Sequence, residues 1–327
     1  MRALFLAVPL AACVAAAPAL AAAADSTAKA YPTKPVRFIL GQATGGGQDL
    51  ISRALALKLS ETMGHSVIVD NRPGAAGTLA AAIASKAAPD GYTVLIVSST
   101  FSINPALYKK LPYDPKKDLL PVTLFAKTPF ILLVHPGVPA KSVKELIAYA
   151  KERPGELNYA SGGVGNSGHL AAELFSSLAG VRMTHIPYKG TGLAMPDLLG
   201  GRVHILFNSL IQALPYVKRK QLTVLGVTTT HRTPLLPDVP AIAESGLPGY
   251  EFSSWYGLTV PAGTPRPIID RLNAEVLRVL KDPGFRQQLS SDGSEPLGTT
   301  PAEFGAFLSS EMKRWAAVVK SSGMRVE

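Results

Sequence analysis

Along the chain, short apolar runs rich in β-branched residues alternate with longer stretches whose apolar positions recur every three or four residues. Val36–Leu40 and residues 67–69 and 93–97 have the first character, and residues 49–63 and 78–88 between them have the second. The pattern predicts strand, helix, strand, helix, strand. Such alternation implies a parallel sheet covered by helices on both faces, because right-handed crossovers place them there. Ligands of such sheets sit beyond the carboxyl ends of the strands.

The alternation resumes downstream. Residues 130–134, 157–160, 183–186, 203–207 and 222–227 read as strands, and Val143–Glu152, 170–179 and 193–199 as helices. Ser142 and Glu145 have capping-box spacing at one helix start. This second block therefore has a sheet of its own. Residues 112–129 and 246–254, aperiodic and punctuated by proline or glycine, are the expected crossing segments. Further on, Thr264-Pro265 and Thr300-Pro301-Ala302-Glu303 each place a capping threonine before a first-turn proline. They predict amphipathic helices over 265–280 and 301–321, packed on the first domain.

The first 24 residues belong to neither block. Met1-Arg2 is a minimal basic start, an alanine-rich apolar run follows, and Pro18-Ala19-Leu20-Ala21 offers a small-x-small cleavage pattern. This reads as a secretory signal. A membrane anchor would need about 20 strongly apolar residues, whereas Pro9 and Pro18 break this run. Leu10-Ala11-Ala12-Cys13 also suits lipid attachment, but the apolar run continues past Cys13 to Ala24, which favours simple cleavage. Cleavage removes the chain's one cysteine, so neither a disulfide nor thiol chemistry is available afterwards. It also removes Arg2, leaving 32 basic residues against 23 acidic. Those charges are scattered, with Lys218-Arg219-Lys220 the densest cluster and no aromatic platform beside it, which argues against nucleic acid and for a mild attraction to small anions.

Two glycine-rich turns carry the candidate chemistry: Gly41-Gln42-Ala43-Thr44-Gly45-Gly46-Gly47-Gln48-Asp49 and Ser161-Gly162-Gly163-Val164-Gly165-Asn166-Ser167-Gly168. Each follows an apolar run and opens a helical one. A helix start exposes unpaired N–H groups and the positive end of the macrodipole, and glycine lets the backbone close on a ligand. Two such corners suggest an anion gripped from both sides. Residues 163–168 also match G-x-G-x-x-G, but the region that should supply an acidic ribose partner reads His185-Ile186-Pro187-Tyr188-Lys189. A nucleophile elbow is incomplete around Ser167, and the six histidines form no metal-binding motif. No catalytic residue, metal site or cofactor is therefore assigned. Asn71-Arg72-Pro73-Gly74-Ala75-Ala76-Gly77-Thr78 is a third glycine-rich corner, in which Arg72 could meet a carboxylate. Ser98-Ser99-Thr100 puts three hydroxyls at a strand's carboxyl end.

Tyr31-Pro32, Lys34-Pro35-Val36-Arg37, Gly45-Gly46 with Asp49, Val69-Asp70-Asn71-Arg72-Pro73-Gly74, Pro89-Asp90-Gly91-Tyr92-Thr93, Tyr159-Ala160-Ser161-Gly162, Pro187-Tyr188-Lys189-Gly190 and Pro261-Ala262-Gly263-Thr264-Pro265 together resemble the Bug family. These are extracytoplasmic solute receptors of tripartite tricarboxylate transporters. The resemblance covers nearly all of the chain after residue 24. It implies an α/β type II periplasmic binding protein fold, each domain a mainly parallel sheet flanked by helices, with the ligand in the interdomain cleft. The expected division is 31–128 plus 255–327 for domain 1 and 129–254 for domain 2. It also implies a monomeric, non-enzymatic periplasmic receptor that hands a small carboxylate to membrane permease subunits. Two departures concern the ligand's distal part: Gly41-Gln42-Ala43-Thr44 replaces an aromatic and proline corner, and Asn208 stands where the family commonly has an aspartate.

The carboxylate contacts expected on this basis are Thr44, Gly45, Gly46, Gln48, Ser161, Gly163, Gly165, Asn166 and Ser167, with Asp49 in the first helical turn beside them. Gln42, Ser98, Ser99, His169, Tyr188 and Asn208 are the expected specificity positions. Competing readings are an exported α/β hydrolase using Ser161 or Ser167, and a sensory receptor serving a signalling partner. The processing expectation is directly measurable: intact mass of native material should place the N-terminus between Ala21 and Asp25. A diacylglycerol-modified Cys13 would contradict it.

Overall fold

The computed structural model describes residues 31–322 except Asp292, so the expected signal segment and Cys13 lie outside the described residues. β1 (Val36–Leu40), β2 (Val67–Asn71) and β3 (Thr93–Ser98) are parallel, with β1 between the other two. They alternate with α1 (Gly47–Met63) and α2 (Thr78–Ser85), and α3 (Ser99–Leu107) follows β3 directly. The second lobe repeats the scheme with α4 (Val143–Glu152), β5 (Asn158–Ser161), α5 (Ser167–Ala179), β6 (Thr184–Pro187), α6 (Thr191–Leu199), β7 (Ile205–Ser209), α7 (Leu210–Lys218) and β8 (Thr223–Val227). There β5 pairs in parallel with both β6 and β7.

Between the lobes runs β4 (Leu119–Val134), a single strand of 16 residues. Its first part pairs antiparallel with β9 (Ser253–Pro261), and its last five residues pair with β7 and β8. The expected crossing segment 112–129 is thus largely strand. Proline hid it: Pro121 sits where the β4 and β9 register shifts, and Pro129 at the last pair with β9, positions where a missing N–H is tolerated. The sheet order is β2-β1-β3-β9-β4-β7-β5-β6, so two antiparallel strands join two parallel sets.

Period-two alternation sorts the apolar residues to the two faces of each lobe. In the first lobe Phe38, Leu40, Val94 and Ile96 pack against α1 and α8 (Arg266–Val279). Ile39, Leu95 and Val97 face α2, Phe101 of α3, and α10 (Pro301–Ser322), which follows α9 (Pro283–Ser291) and the short strand β10 (Glu295–Pro296). The capping boxes form: Ser142 Oγ accepts from the Glu145 N–H at 3.2 Å, and Thr300 and Glu303 cap each other reciprocally. Thr264 does not cap its helix. Its hydroxyl donates to the Pro261 carbonyl at 2.7 Å, and Pro265 takes the N-cap position.

α10 does more than cover the first lobe. Trp315 and Val319, near its end, join the core of the second lobe with Phe207, Phe252 and Tyr250. The helix therefore lies across both lobes rather than on the first alone. Its seat on β9 is close: a Cβ added at Gly257 would overlap the Phe304 ring, which is fully buried. Gly257→Ala should destabilise the fold by about 1–3 kcal/mol through overpacking, measured by chemical denaturation. Adding Phe304→Leu should recover part of the loss, and an unchanged midpoint for Gly257→Ala would contradict the close seat.

Candidate functional site

β1 leaves the sheet at Leu40 and the chain turns through residues 41–46 into α1. In this corner Gln42 Oε1 accepts the Gln48 N–H at 2.7 Å. Gly46 makes room for it, since a Cβ there would stand 2.6 Å from Gln42 Oε1. One of the orphan donors at the start of α1 is thus filled by the chain's own carboxamide. Asp49 points beneath the corner, 1% exposed, and accepts from the Gly45 N–H, Arg53 and Asn71, each at 2.9 Å. Burial pushes its carboxyl up, but these three partners together hold it below the usual carboxylate range. Gln48 is anchored by its Nε2 donating to the Ile96 carbonyl at 2.8 Å.

The second corner joins β5 to α5 by the same device. Asn166 is the N-cap, its Oδ1 accepting from the Gly168 N–H at 2.8 Å, and a Cβ at Gly162 would press to 2.8 Å from Asn166 Nδ2. Behind this corner three rings stack: Tyr159 on His185 and His185 on His169, with centroids 4.8 and 4.1 Å apart. His185 Nε2 lies 2.6 Å from Ser161 Oγ, and His169 Nδ1 accepts the Gly165 N–H at 3.1 Å. Tyr159 donates to Glu173. Burial lowers the pKa of both histidines to about 4; the ring of His169 lowers His185 further and Glu173 opposes this.

The two corners face each other across a cavity of about 700 Å³. Contact across it is direct: Ser99 Oγ of the first lobe and Ser167 Oγ of the second are 3.0 Å apart, and Gly190 approaches Ala43. Of the residues singled out from sequence, Gln42, Gln48 and Ser98 line the cavity from the first lobe. Gly163, Asn166, Ser167 and Tyr188 line it from the second. Tyr188 donates to Asp197 at 2.7 Å, and burial with this partner pushes its phenol up to about 12.

The others stand outside the lining. Thr44, Gly45, Gly46 and Asp49 shape the first corner from outside it, and Ser161, Gly165 and His169 back the second. Ser99 is fully buried in the Ser167 contact. Asn208 is buried at the end of β7, its Oδ1 accepting from the Ser209 N–H at 2.9 Å and its Nδ2 without a partner. Next to it, Ser209 abuts Gly47 at the start of α1, so this strand end forms a seam between the lobes. Arg72 pairs with Asp70 at 3.0 Å and does not line the cavity.

Ser161 is fully buried and tied to Gly163 and His185 off the cavity, while Ser167 faces a serine rather than a base. The third glycine-rich corner, singled out from sequence, also lines the cavity through residues 73–77, and the wall that sequence reasoning missed is Ala81 of α2, Phe101 and Asn104 of α3, and Tyr108 at the C-cap of α3. The spacing 101, 104, 108 is a one-face helical signal. Pro105 interrupted it, although proline stands inside α3.

A family model described as tripartite tricarboxylate transporter family receptor matches residues 51–324. Protein BugT of Bordetella pertussis is 34% identical over 307 residues, covering 93% of this chain and 94% of its own. A solved structure of an R. palustris protein with adipate has a TM-score of 0.87 at 37% identity, over 90% of this chain and all of that one. MatC from Rhodopseudomonas palustris, with bound malate, gives 0.83 at 33% identity, over 88% of this chain and 100% of that one.

The histidine pair makes a pH dependence. Both are uncharged in the fold, with values near 4 against about 6.5 in an unfolded chain. Between those values the unfolded chain binds more protons, so stability should fall progressively as pH drops from about 6.5 to about 4. His204, also lowered by burial, adds in the same direction. The urea midpoint should decline across this window, and H169Q/H185Q should flatten most of the decline. A constant wild-type midpoint would contradict the uncharged pair.

Proposed function

The chain belongs to the tripartite tricarboxylate transporter receptor family, and on that premise we propose that it captures one small carboxylate-bearing solute between its lobes. The observation that carries this reading is the pair of helix starts, α1 and α5, on opposite walls of one cavity. Both direct the positive ends of their dipoles toward it, each favouring an anion by about 0.3–1 kcal/mol and up to about 2 when partly buried. The relatives solved with adipate and malate give the same class of ligand.

The carboxylate sits at the start of α5, where Ser167 and Asn166 line the cavity, with Gln48 and Tyr188 also in reach of the cavity's contents. At the start of α1, Gln42 Oε1 occupies a place that an anionic oxygen would otherwise take. That helix then contributes its dipole and Gln48 rather than bare N–H groups. Gly45, Gly46, Asp49, Ser161, Gly165 and His169 act by holding the two corners in shape. The protein acts without catalysis, as a monomer, in the periplasm, and passes its solute to membrane permease subunits. The full burial of Ser161 away from the cavity, and the contact of Ser167 with Ser99 rather than a base, favour this over a hydrolase.

Purified protein should bind a small carboxylate saturably at 1:1 without changing it. Ligand at 100 times its dissociation constant should stabilise the fold by about 2.7 kcal/mol, read as a melting shift. A broad carboxylate panel with no shift, together with turnover of an ester, would overturn the receptor reading in favour of the hydrolase.

A further inference from the structure

The two corners present opposite hydrogen-bonding faces to the cavity. At the α5 corner Asn166 has turned its Oδ1 onto the Gly168 N–H, and Ser167 keeps its hydroxyl at the lining, so donors remain there for a solute. At the α1 corner the Gln48 N–H is already taken by Gln42 Oε1. The Gln48 side chain is 5% exposed and lines the cavity. Its Nε2 donates to the Ile96 carbonyl at 2.8 Å, which fixes the orientation of the carboxamide and leaves Oε1 with no partner among the described residues. That oxygen is not sealed in. Asn208 Nδ2 is buried without a partner, whereas Gln48 Oε1 keeps accessible surface, and the space its residue lines is the cavity. An acceptor held in a nearly dry wall asks for a donor.

This acceptor and the carboxylate position are a small molecule's length apart. Gln48 is tied to Ile96, and Ser167 touches Ser99, three residues further along the chain. Three residues of extended backbone span at most about 10 Å. The donor therefore belongs on the carbon skeleton of the solute, a few bonds from its carboxylate.

The charge of that donor follows from the lining. Among the described residues that line the cavity none is Asp or Glu, and the one ionised side chain is the cation Lys189. Asp49, beneath the first corner, is already held by Arg53, Asn71 and the Gly45 N–H. Helices α1, α3, α5 and α6 all start at the cavity, each adding about half a positive charge there. An ammonium group on the solute would meet this field unpaired, and burying an unpaired charge is far more costly than burying a neutral group. A hydroxyl donates without that penalty.

Resting on the receptor reading above, we propose that the solute is a hydroxy acid, its carboxylate at the start of α5 and its hydroxyl donating to Gln48 Oε1. Gln48 is then the residue that distinguishes it from the deoxy acid and the amino acid of the same skeleton.

Calorimetry on the wild-type protein at neutral pH tests this with matched sets, each a hydroxy acid in both enantiomers, its deoxy parent and the corresponding amino acid. The sets are the 2-substituted butyrates, the 3-substituted butyrates, malate with succinate and aspartate, and 3-phenyllactate with 3-phenylpropionate and phenylalanine. In the set that binds most tightly, the better enantiomer of the hydroxy acid should bind about 3–10 times more tightly than the parent, the gain of one neutral hydrogen bond. The amino acid should bind at least about tenfold more weakly than the parent. Gln48→Met should bring the ratio of hydroxy acid to parent close to one, whatever it does to the affinity for either, which the loss of a merely structural contact would not do. If in that set the parent or the amino acid binds as tightly as the hydroxy acid, or if the ratio survives Gln48→Met, the inference fails and the receptor reading stands. Should Gln48→Met not fold, the wild-type ratios alone decide. If nothing binds, either here or in the broad carboxylate panel above, the receptor reading fails with it.

Discussion

The arrangement of the molecule depends on one strand. β4 enters the first lobe's sheet beside β9 and leaves through the second lobe's sheet between β7 and β8. Its backbone hydrogen bonds belong to both lobes, so neither sheet is complete without it. With β4 fixed, the carboxyl ends of β1 and β3 on one side, and of β5 on the other, are brought to face each other. The cavity is what lies between them. α10 reinforces this by placing Phe304 in one core and Trp315 in the other.

Within that frame, both corners solve the same problem alike. A helix beginning at a buried site leaves N–H groups that need acceptors. Here a carboxamide four residues from a glycine supplies one: Gln42 over Gly46, and Asn166 over Gly162. The glycines are required by that close approach, so the corners are built partly to satisfy themselves and only partly to meet a ligand. The two differ in what they leave at the cavity. Gln42 fills the α1 corner, whereas the α5 corner keeps the Ser167 hydroxyl at the cavity surface, held by Ser99 from across the cleft.

The ring stack behind the second corner ties the corner's shape to its protonation state. Tyr159 and His169, both buried, and the half-buried His185 form a column that supports the backbone of residues 161–165 through Ser161 and Gly165. Protonating either histidine inside this column places a charge in a desolvated site, with Glu173 as the nearby acid. The same contacts that shape the corner therefore disfavour its protonated form.

Local pattern was enough for most of the elements. β1 and α4 are found at the bounds that hydrophobic periodicity assigns, and both glycine-rich turns open helices as glycine after an apolar run implies. Family motifs spread along the chain carried the receptor assignment, because the corners they encode are short-range. What the sequence could not determine was anything set by long-range pairing. Residues 130–134 were legible as a strand, but proline at 121 and 129 concealed the part of β4 before them, since a proline's missing N–H is harmless only where a register shift or strand switch leaves it unneeded, and that depends on β9 and β7. Pro105 likewise concealed α3, and with it Phe101, Asn104 and Tyr108 as one wall of the cavity. Whether a polar residue near a strand end faces a ligand or a neighbouring lobe is decided by how the lobes meet. Asn208 sits in the seam and Asn104 in the cavity, and nothing in the local sequence of either distinguishes them.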